Sequence, residues 1–210
     1  MGVNELRLLD YHDSGMPGTQ ANQRRDAFCN APLDEAGARV AAVIRELRPR
    51  VVITENEHGT YGHPDHVMCH KAAVRGVELA ADAGLHLDGL EPWRVDRLFA
   101  IQLVTEGGER IANMLRAEQL DLGWFGEDAA QLAEMGIKSS EADAAVDVGD
   151  YAETLRSALA QHRTQIPSGH FLLTWPLRVL REVFRTAYFT QLAPAYSGPQ
   201  LHDLLARLNA

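Results

Sequence analysis

The residue types that suit catalysis or metal binding are concentrated between Gly59 and His70. In this stretch, Gly-Thr-Tyr-Gly-His-Pro-Asp-His-Val-Met-Cys-His, three histidines lie close to an aspartate and a tyrosine. His66 and His70 are four residues apart, so on a helix their side chains lie on the same face. A single histidine on a helix is usually a surface or packing residue. A dense group on a glycine-rich loop instead predicts a functional site.

Imidazole and carboxylate groups on one short loop are typical ligands of zinc and other divalent metals. A catalytic zinc usually has three protein ligands and an open position for water, whose pKa the metal lowers. The stretch can supply His66 as a ligand and leaves His63 for proton transfer or for stabilising an oxyanion. Asp65 can orient one imidazole, and Tyr61 can donate a hydrogen bond to a developing negative charge.

The surrounding sequence predicts the elements that hold this loop. Pro32 opens a helix whose apolar residues repeat at helical spacing until Arg48-Pro49 ends it. Val51–Thr54 is a β-branched run typical of a buried strand, and Pro64 suits the first turn of a second helix with His63 near its cap. Helix, strand, glycine-rich loop and helix form half of a doubly wound α/β layout. The histidines then lie at the carboxyl end of a strand, where such folds bind ligands.

Apolar periodicity predicts the remaining elements. Strands are expected over residues 6–9, 95–101 and 144–148. Helices are expected from residue 64 to near residue 84 and over residues 110–119, 128–135, 150–162 and 177–189. The sequence has no internal repeat and no low-complexity segment, so we expect a single domain over residues 1–210.

Composition narrows the class of protein. The 210 residues carry a net charge of −9, with 46% hydrophobic and 23% charged residues, as in ordinary globular proteins. The acidic balance and the lack of a basic run argue against nucleic-acid binding. We find no apolar stretch long enough to span a bilayer and no signal-peptide pattern, so the cytoplasm is the expected compartment. Two cysteines, Cys29 and Cys69, are too few to indicate a disulfide framework.

The pattern Gly-x-Tyr-Gly-His-Pro-Asp-His over Gly59–His66 resembles a motif of the PIG-L (LmbE-like) zinc-dependent N-acetylglucosaminyl deacetylases. Tyr11–Met16 is similar to the Asp-Ser-Gly-Met loop of that family. Val51–Thr54 and Glu91-Pro92-Trp93 also match the family's layout. The resemblance covers roughly the first hundred residues well and residues 100–210 only loosely, but it is far more specific than a histidine pair. It implies an α/β fold with a Rossmann-like, mostly parallel sheet flanked by helices.

The resemblance implies a hydrolase that deacetylates a small molecule containing N-acetylglucosamine, with a zinc ion activating the attacking water. It implies that His66 is the metal ligand. His63 would stabilise the oxyanion or move a proton, and Asp65 would orient His63.

Substrate-binding residues are also implied by the resemblance. Tyr61 corresponds to a mobile tyrosine over the substrate. Asp13 and Met16 correspond to residues of the sugar pocket, so an acetylated amino sugar is the expected small-molecule partner. His70 has no assigned role in the family, and we therefore expect it to be structural.

The sequence also departs from the family pattern. Family members begin with a strand ending in Ala-His-Pro-Asp-Asp, which supplies two zinc ligands and the general base, whereas the only His-Pro-Asp here is His63–Asp65. We therefore expect a chain truncated at its N-terminus, with an incomplete zinc site and impaired activity on its own. Asn56 stands where aspartate is common, and Thr60 replaces a second glycine.

Other functions fit the same residues. The chain is alternatively a catalytically inactive sugar-binding module, or a subunit that needs a partner chain carrying the missing N-terminal motif. Loss of the first strand would leave an open sheet edge, which favours association, including a homo-oligomer. A metallopeptidase of the His-Glu-x-x-His type is disfavoured, because Val67 follows His66 where that motif has glutamate.

Overall fold

The computed structural model describes residues 2–87, 89–126, 129–206 and 208. Its α-helices are α1 Leu33–Leu47, α2 Gly59–Gly62, α3 Pro64–Ala81, α4 Gly108–Ala117, α5 Ala129–Glu134, α6 Ala152–Leu159, α7 Phe171–Thr174 and α8 Leu177–Val183. Its strands are β1 Val51–Thr54, β2 Arg97–Gln102, β3 Ala144–Asp147 and β4 Thr186–Ala193. The described part of the chain is therefore a mixed α/β structure, as the sequence predicts.

The four strands form one sheet in the order β1-β2-β4-β3. β1 and β2 are parallel, whereas β4 runs antiparallel to both β2 and β3. The expectation of a mostly parallel sheet is therefore corrected: of the three strand pairs in this four-stranded sheet, one is parallel, that of β1 and β2, which α3 connects. Asp147 at the end of β3 pairs with Thr186 at the start of β4. The chain thus leaves and re-enters the sheet at the same end, which forces antiparallel pairing.

The α1–β1–α3 unit forms as its sequence predicts. α1 carries acidic residues in its first turn, and Arg48 ends it in the left-handed conformation just before Pro49. α1 and α3 pack closely where two glycines face the opposite helix. A Cβ added to Gly76 would lie 2.5 Å from a Val40 methyl carbon, and one added to Gly37 would lie 2.7 Å from Arg75 Cγ. These glycines set the close approach of the helix pair that carries the histidine loop.

The apolar interior is divided into separate clusters. Between β1 and its helices, Ile44, Ala80 and Val95 are buried together. In the sheet, Phe99 of β2 and Phe189 of β4 meet edge to face at 6.2 Å between ring centroids. A further cluster is formed by α4 and α6–α8 around Trp175, whose indole N–H donates to the Asp121 carbonyl.

Two predicted elements are wrong. Residues 6–9 form no strand, and Leu6 and Leu8 are 77% and 75% exposed, because an apolar run without a neighbouring strand has no partner for its backbone groups. The helix expected over residues 177–189 ends at Val183, and β4 begins at Thr186. The two threonines and two aromatic residues at positions 186, 188, 189 and 190 favour a strand and override the helical spacing.

The other predicted elements are confirmed with shifts of a few residues at their ends. Asp128, the expected start of one helix, lies outside the described residues; α5 itself begins at Ala129. Among the described residues, no helix combines the length and the apolar character needed to cross a membrane.

Arg45 ties the end of α3 to α1. The residue is only 2% exposed. Its guanidinium donates at 2.5–3.1 Å to the carbonyl oxygens of Leu79, Ala80, Asp82, Leu85 and Leu90. These carbonyls include the last ones of α3, which have no partner inside the helix. The buried cation therefore satisfies several acceptors at the negative end of the helix dipole.

We expect Arg45→Met to destabilise the protein by about 3 kcal/mol, because it strips several buried carbonyls of their donors at once. Urea unfolding followed by circular dichroism measures the change. Arg163→Met is the control, since Arg163 lies exposed in a turn after α6, and it should cost less than about 1 kcal/mol. Equal losses for the two variants would contradict this role of Arg45.

Candidate functional site

His63 begins α3 by capping it with its own side chain. Its Nδ1 accepts the backbone N–H of Asp65 at 3.2 Å, and Pro64 occupies the first helical position. Both positions agree with the sequence-based prediction. Helix N-termini leave backbone N–H groups without partners, and an acceptor on the residue before the helix satisfies one of them.

The capping bond determines the tautomer of the neutral His63 ring. A nitrogen that accepts a hydrogen bond carries no proton, so in neutral His63 the proton lies on Nε2. The ring therefore presents a hydrogen-bond donor to its surroundings. Donation from Nε2 suits the oxyanion-stabilising role that the resemblance implies for His63. It does not suit metal binding through Nε2, which would require moving that proton and losing the cap.

Asp65 holds a long loop against the start of α3. Its two carboxylate oxygens accept the backbone N–H groups of Ser14 and Cys29, each at 2.9 Å. Ser14 is fully buried, so its amide needs a partner inside the protein. The carboxylate also lies in the first turn of α3, where the helix dipole favours negative charge. The observed bond between Asp65 and His63 comes from the Asp65 backbone rather than from its carboxylate.

The loop between β1 and α3 has an unusual backbone. Gly59 and Gly62 have φ values of 65° and 87°, and a Cβ on Gly59 would lie 2.7 Å from the Val67 nitrogen. These two glycines therefore permit the tight crossing from β1 to α3. Thr60 has φ 63° and ψ −68°, which is strained for a β-branched residue. Asn56, itself fully buried, accepts the N–H groups of His58 and Thr60 on Oδ1 and so holds the turn.

Three aromatic side chains meet beside this loop. The ring centroids of Tyr61 and His66 and those of His63 and His66 are 5.1 Å apart, and those of Tyr61 and His63 are 6.0 Å apart. Burial raises the pKa of Tyr61, and the charges of Glu55 and Asp13 raise it further. The Tyr61 hydroxyl therefore stays protonated at neutral pH and can donate a hydrogen bond.

The loop that Asp65 anchors brings Asp13 to the histidines. Asp13 Oδ1 accepts the Gly15 N–H, and one ligand atom each of Asp13, His63 and Asp65 lies within 4.8 Å of the others. Met16, in the same loop, is 49% exposed. A cleft of about 540 Å³ lies between residues 8–13 and helices α1 and α3. Asp13 and Asp65 line this cleft, whose volume is in the range of small-molecule sites.

Glu55, the residue after β1, was missed by the sequence reasoning. Its Oε1 lies 3.4 Å from His66 Nδ1, and its other carboxylate oxygen accepts the Thr60 hydroxyl. Its backbone carbonyl accepts from His70 Nδ1 at 2.8 Å, which gives His70 an anchoring contact between α3 and β1. The available signal was position: an acidic residue at the carboxyl end of a parallel strand faces the site.

These donors can be compared with the needs of a zinc ion. Among the described residues, Asp13, His63 and Asp65 form the one group of three potential ligands, and His63 has its Nδ1 lone pair committed to the helix cap. His66 lies outside that group. Its Nδ1 is buried, without an aligned hydrogen bond, and close to a carboxylate. This environment suits a histidine that binds a metal through Nε2. His66 therefore fits as one ligand, but the described residues do not complete a coordination shell around it.

The histidine-rich loop lies at the carboxyl end of a parallel strand in an α/β sheet, which is where such sheets bind ligands. Residues 1–77 match the family model described as PIG-L: GlcNAc-PI de-N-acetylase. The chain is 30% identical to a 1D-myo-inositol 2-acetamido-2-deoxy-alpha-D-glucopyranoside deacetylase of Streptomyces avermitilis, over 97% of this chain and 71% of that protein. It is 32% identical to a deacetylase of the same name from Thermobispora bispora, over 96% of this chain and 66% of that protein. The chain belongs to the PIG-L family.

The chain spans about two thirds of the length of these two relatives. Among solved structures, a conserved protein of Thermus thermophilus aligns with 78% of this chain and 61% of its own. That alignment has 20% sequence identity and a TM-score of 0.34, which is too distant to bear on fold or function.

We expect Asp65→Asn to release the loop that carries Asp13. An amide side chain has one acceptor oxygen, so one of the two backbone N–H groups loses its partner, at a cost of about 2 kcal/mol. The rate of hydrogen exchange at the Ser14 and Cys29 amides should increase much more than the rate at amides of the sheet. Asp34→Asn is the control, because Asp34 is 79% exposed. Unchanged exchange at both amides in Asp65→Asn would contradict the anchoring role.

We expect Thr60→Gly to be more stable than Thr60→Ala by roughly 1–2 kcal/mol. Both variants lose the hydroxyl, but only glycine adopts the positive φ without steric strain. Thermal unfolding of the two variants gives this difference. Thr164 is exposed and its φ is not positive, so the same pair of substitutions there should not favour glycine. If the alanine variant were as stable as the glycine variant at position 60, the inference of backbone strain at Thr60 would be contradicted.

Proposed function

We propose that this chain is a metal-dependent deacetylase of a small molecule containing N-acetylglucosamine, with impaired activity when it acts alone. The observation that carries the proposal is the capped His63 ring, whose Nε2 is left as a donor and whose centroid lies 5.1 Å from that of the His66 ring. Membership of the PIG-L family supports the reaction class. The named activity of the relatives supports an N-acetylglucosaminyl inositol as the substrate.

In this proposal the chain's own residues bind and polarise the acetamide. His63 donates from Nε2 to the carbonyl oxygen as it gains negative charge, and the protonated Tyr61 hydroxyl adds a second donor. Asp13 and Met16 contact the sugar, and the cleft beside Asp13 receives the remainder of the substrate. Asp65 holds the loop that carries Asp13 next to His63, so Asp65 is a positioning residue.

His66 would hold the metal, which we infer to be zinc from the family and from the imidazole donor. When bound, a divalent ion polarises the carbonyl and lowers the pKa of a nearby water. Since the described residues supply His66 without a complete set of neighbouring ligands, we propose that further ligands and a general base come from outside them.

The incomplete ligand set also favours a second candidate function. A chain that keeps the sugar-contacting loop and the His63 donor but cannot hold zinc would act as a sugar-binding module. Alternatively, the chain would be a subunit whose metal site is completed by ligands from a partner chain. Both candidates predict binding of the amino sugar, and only the first predicts hydrolysis.

The decisive experiment incubates the purified chain with zinc and 1D-myo-inositol 2-acetamido-2-deoxy-alpha-D-glucopyranoside. Calorimetry measures binding, and amine release measures turnover. We expect binding with slow turnover. His63→Ala should lower turnover by about 10²–10³-fold with zinc content unchanged, whereas His66→Ala should lower zinc content. His162→Ala is the matched control because His162 is exposed after α6.

Binding without turnover would support the sugar-binding module. Absence of both binding and turnover would overturn the proposed function in either form. If His63→Ala and His66→Ala retained full turnover in a chain that is active, the roles assigned to these residues would be wrong.

A further inference from the structure

Glu55 is placed to act on two parts of the site at once. It follows β1 directly, and its carboxylate is about three-quarters buried, with 26% of the side chain exposed. One carboxylate oxygen accepts the Thr60 hydroxyl, and the other lies 3.4 Å from His66 Nδ1. A carboxylate held by one contact has few orientations left for its other oxygen, which is thereby directed at His66.

The imidazole of His66 needs such a neighbour. Its Nδ1 is buried and has no aligned hydrogen bond among the described residues. A buried polar atom without a partner is costly, and the Glu55 carboxylate lies within reach of Nδ1 at 3.4 Å. An ionised carboxylate can only accept a hydrogen bond. Glu55 and His66 therefore form a hydrogen bond when His66 Nδ1 carries the proton.

We propose that Glu55 is a positioning residue that fixes the Nδ1–H tautomer of His66 and so presents the Nε2 lone pair to the metal. The role in metal binding rests on the proposed function, whereas the tautomer of His66 can be tested without it. A carboxylate behind a ligand histidine orients the ring and raises its basicity. Direct metal binding at Nδ1 is disfavoured because this nitrogen is buried among protein atoms.

The same carboxylate links His66 to the strained turn. Thr60 keeps its positive φ with its hydroxyl bonded to Glu55, and Tyr61 follows it directly in the chain. Glu55 therefore contacts both the His66 ring and the residue that precedes Tyr61. The rings of Tyr61 and His66 pack together, with their centroids 5.1 Å apart.

The test is a long-range ¹H–¹⁵N spectrum of the full chain without metal, which reports the tautomer of each neutral histidine. His66→Gln identifies the His66 signals among those of the nine histidines. We expect Nδ1–H in the parent protein. In Glu55→Ala the proton should move largely to Nε2, the position that an unrestrained histidine favours in water. Glu57→Ala is the matched control, since Glu57 lies in the same loop with 59% of its side chain exposed.

Zinc titration gives the second readout. We expect Glu55→Ala to weaken zinc binding about 10–100-fold, while Glu57→Ala leaves it unchanged and Glu55→Gln falls between the two. An Nε2–H tautomer in the parent, or an unchanged His66 tautomer in folded Glu55→Ala, would overturn the proposal. A parent that shows Nδ1–H but binds no zinc would contradict the proposed function and leave the Glu55–His66 contact established.

Discussion

The first turn of α3 is the constraint on which the rest of the candidate site depends. One backbone N–H of this turn is capped by the His63 ring, and the Asp65 carboxylate in the same turn accepts two amides of a distant loop. A single helix end therefore sets the tautomer of the neutral His63 ring and the position of Asp13. Because both functions share one turn, a change that frays it disturbs the donor and the sugar-contacting loop together.

The local parts of this arrangement could be predicted from the sequence. Pro64 at the first helical position, His63 as the cap and the glycines of the loop act within a few residues, so their signals are contained in the motif itself. The bounds of α1, β1 and α3 follow from equally local patterns. The long-range parts could not be predicted in the same way. Asp65 bonds to amides 51 and 36 positions away, and Glu55 approaches His66 only because β1 and α3 pack side by side. Residues 186–193 carry both a helical spacing and a strand composition, and the pairing with β2 and β3 decides between them.

The departures from the family pattern compensate for one another in the loop after β1. Thr60 in place of glycine strains the backbone, but its hydroxyl gains the Glu55 carboxylate and its N–H gains Asn56 Oδ1. Asn56 in place of aspartate still offers an acceptor to two backbone amides. The turn is thus held by side chains from the two residues after the strand rather than by glycine freedom alone.

The charges around the aromatic cluster favour a cation at the proposed site. Burial is the largest cause of the raised pKa of Tyr61, and the charges of Glu55 and Asp13 add to it, so their field also opposes the gain of negative charge at that position. An oxyanion formed beside Tyr61 and His63 would meet the same opposition, because it is also an anion in the same field. Two neutral donors offset only part of this cost, whereas a divalent ion at His66 would reverse the sign of the local potential. Under the proposed function, the acidic residues near the loop would therefore favour a bound cation as well as position the loop.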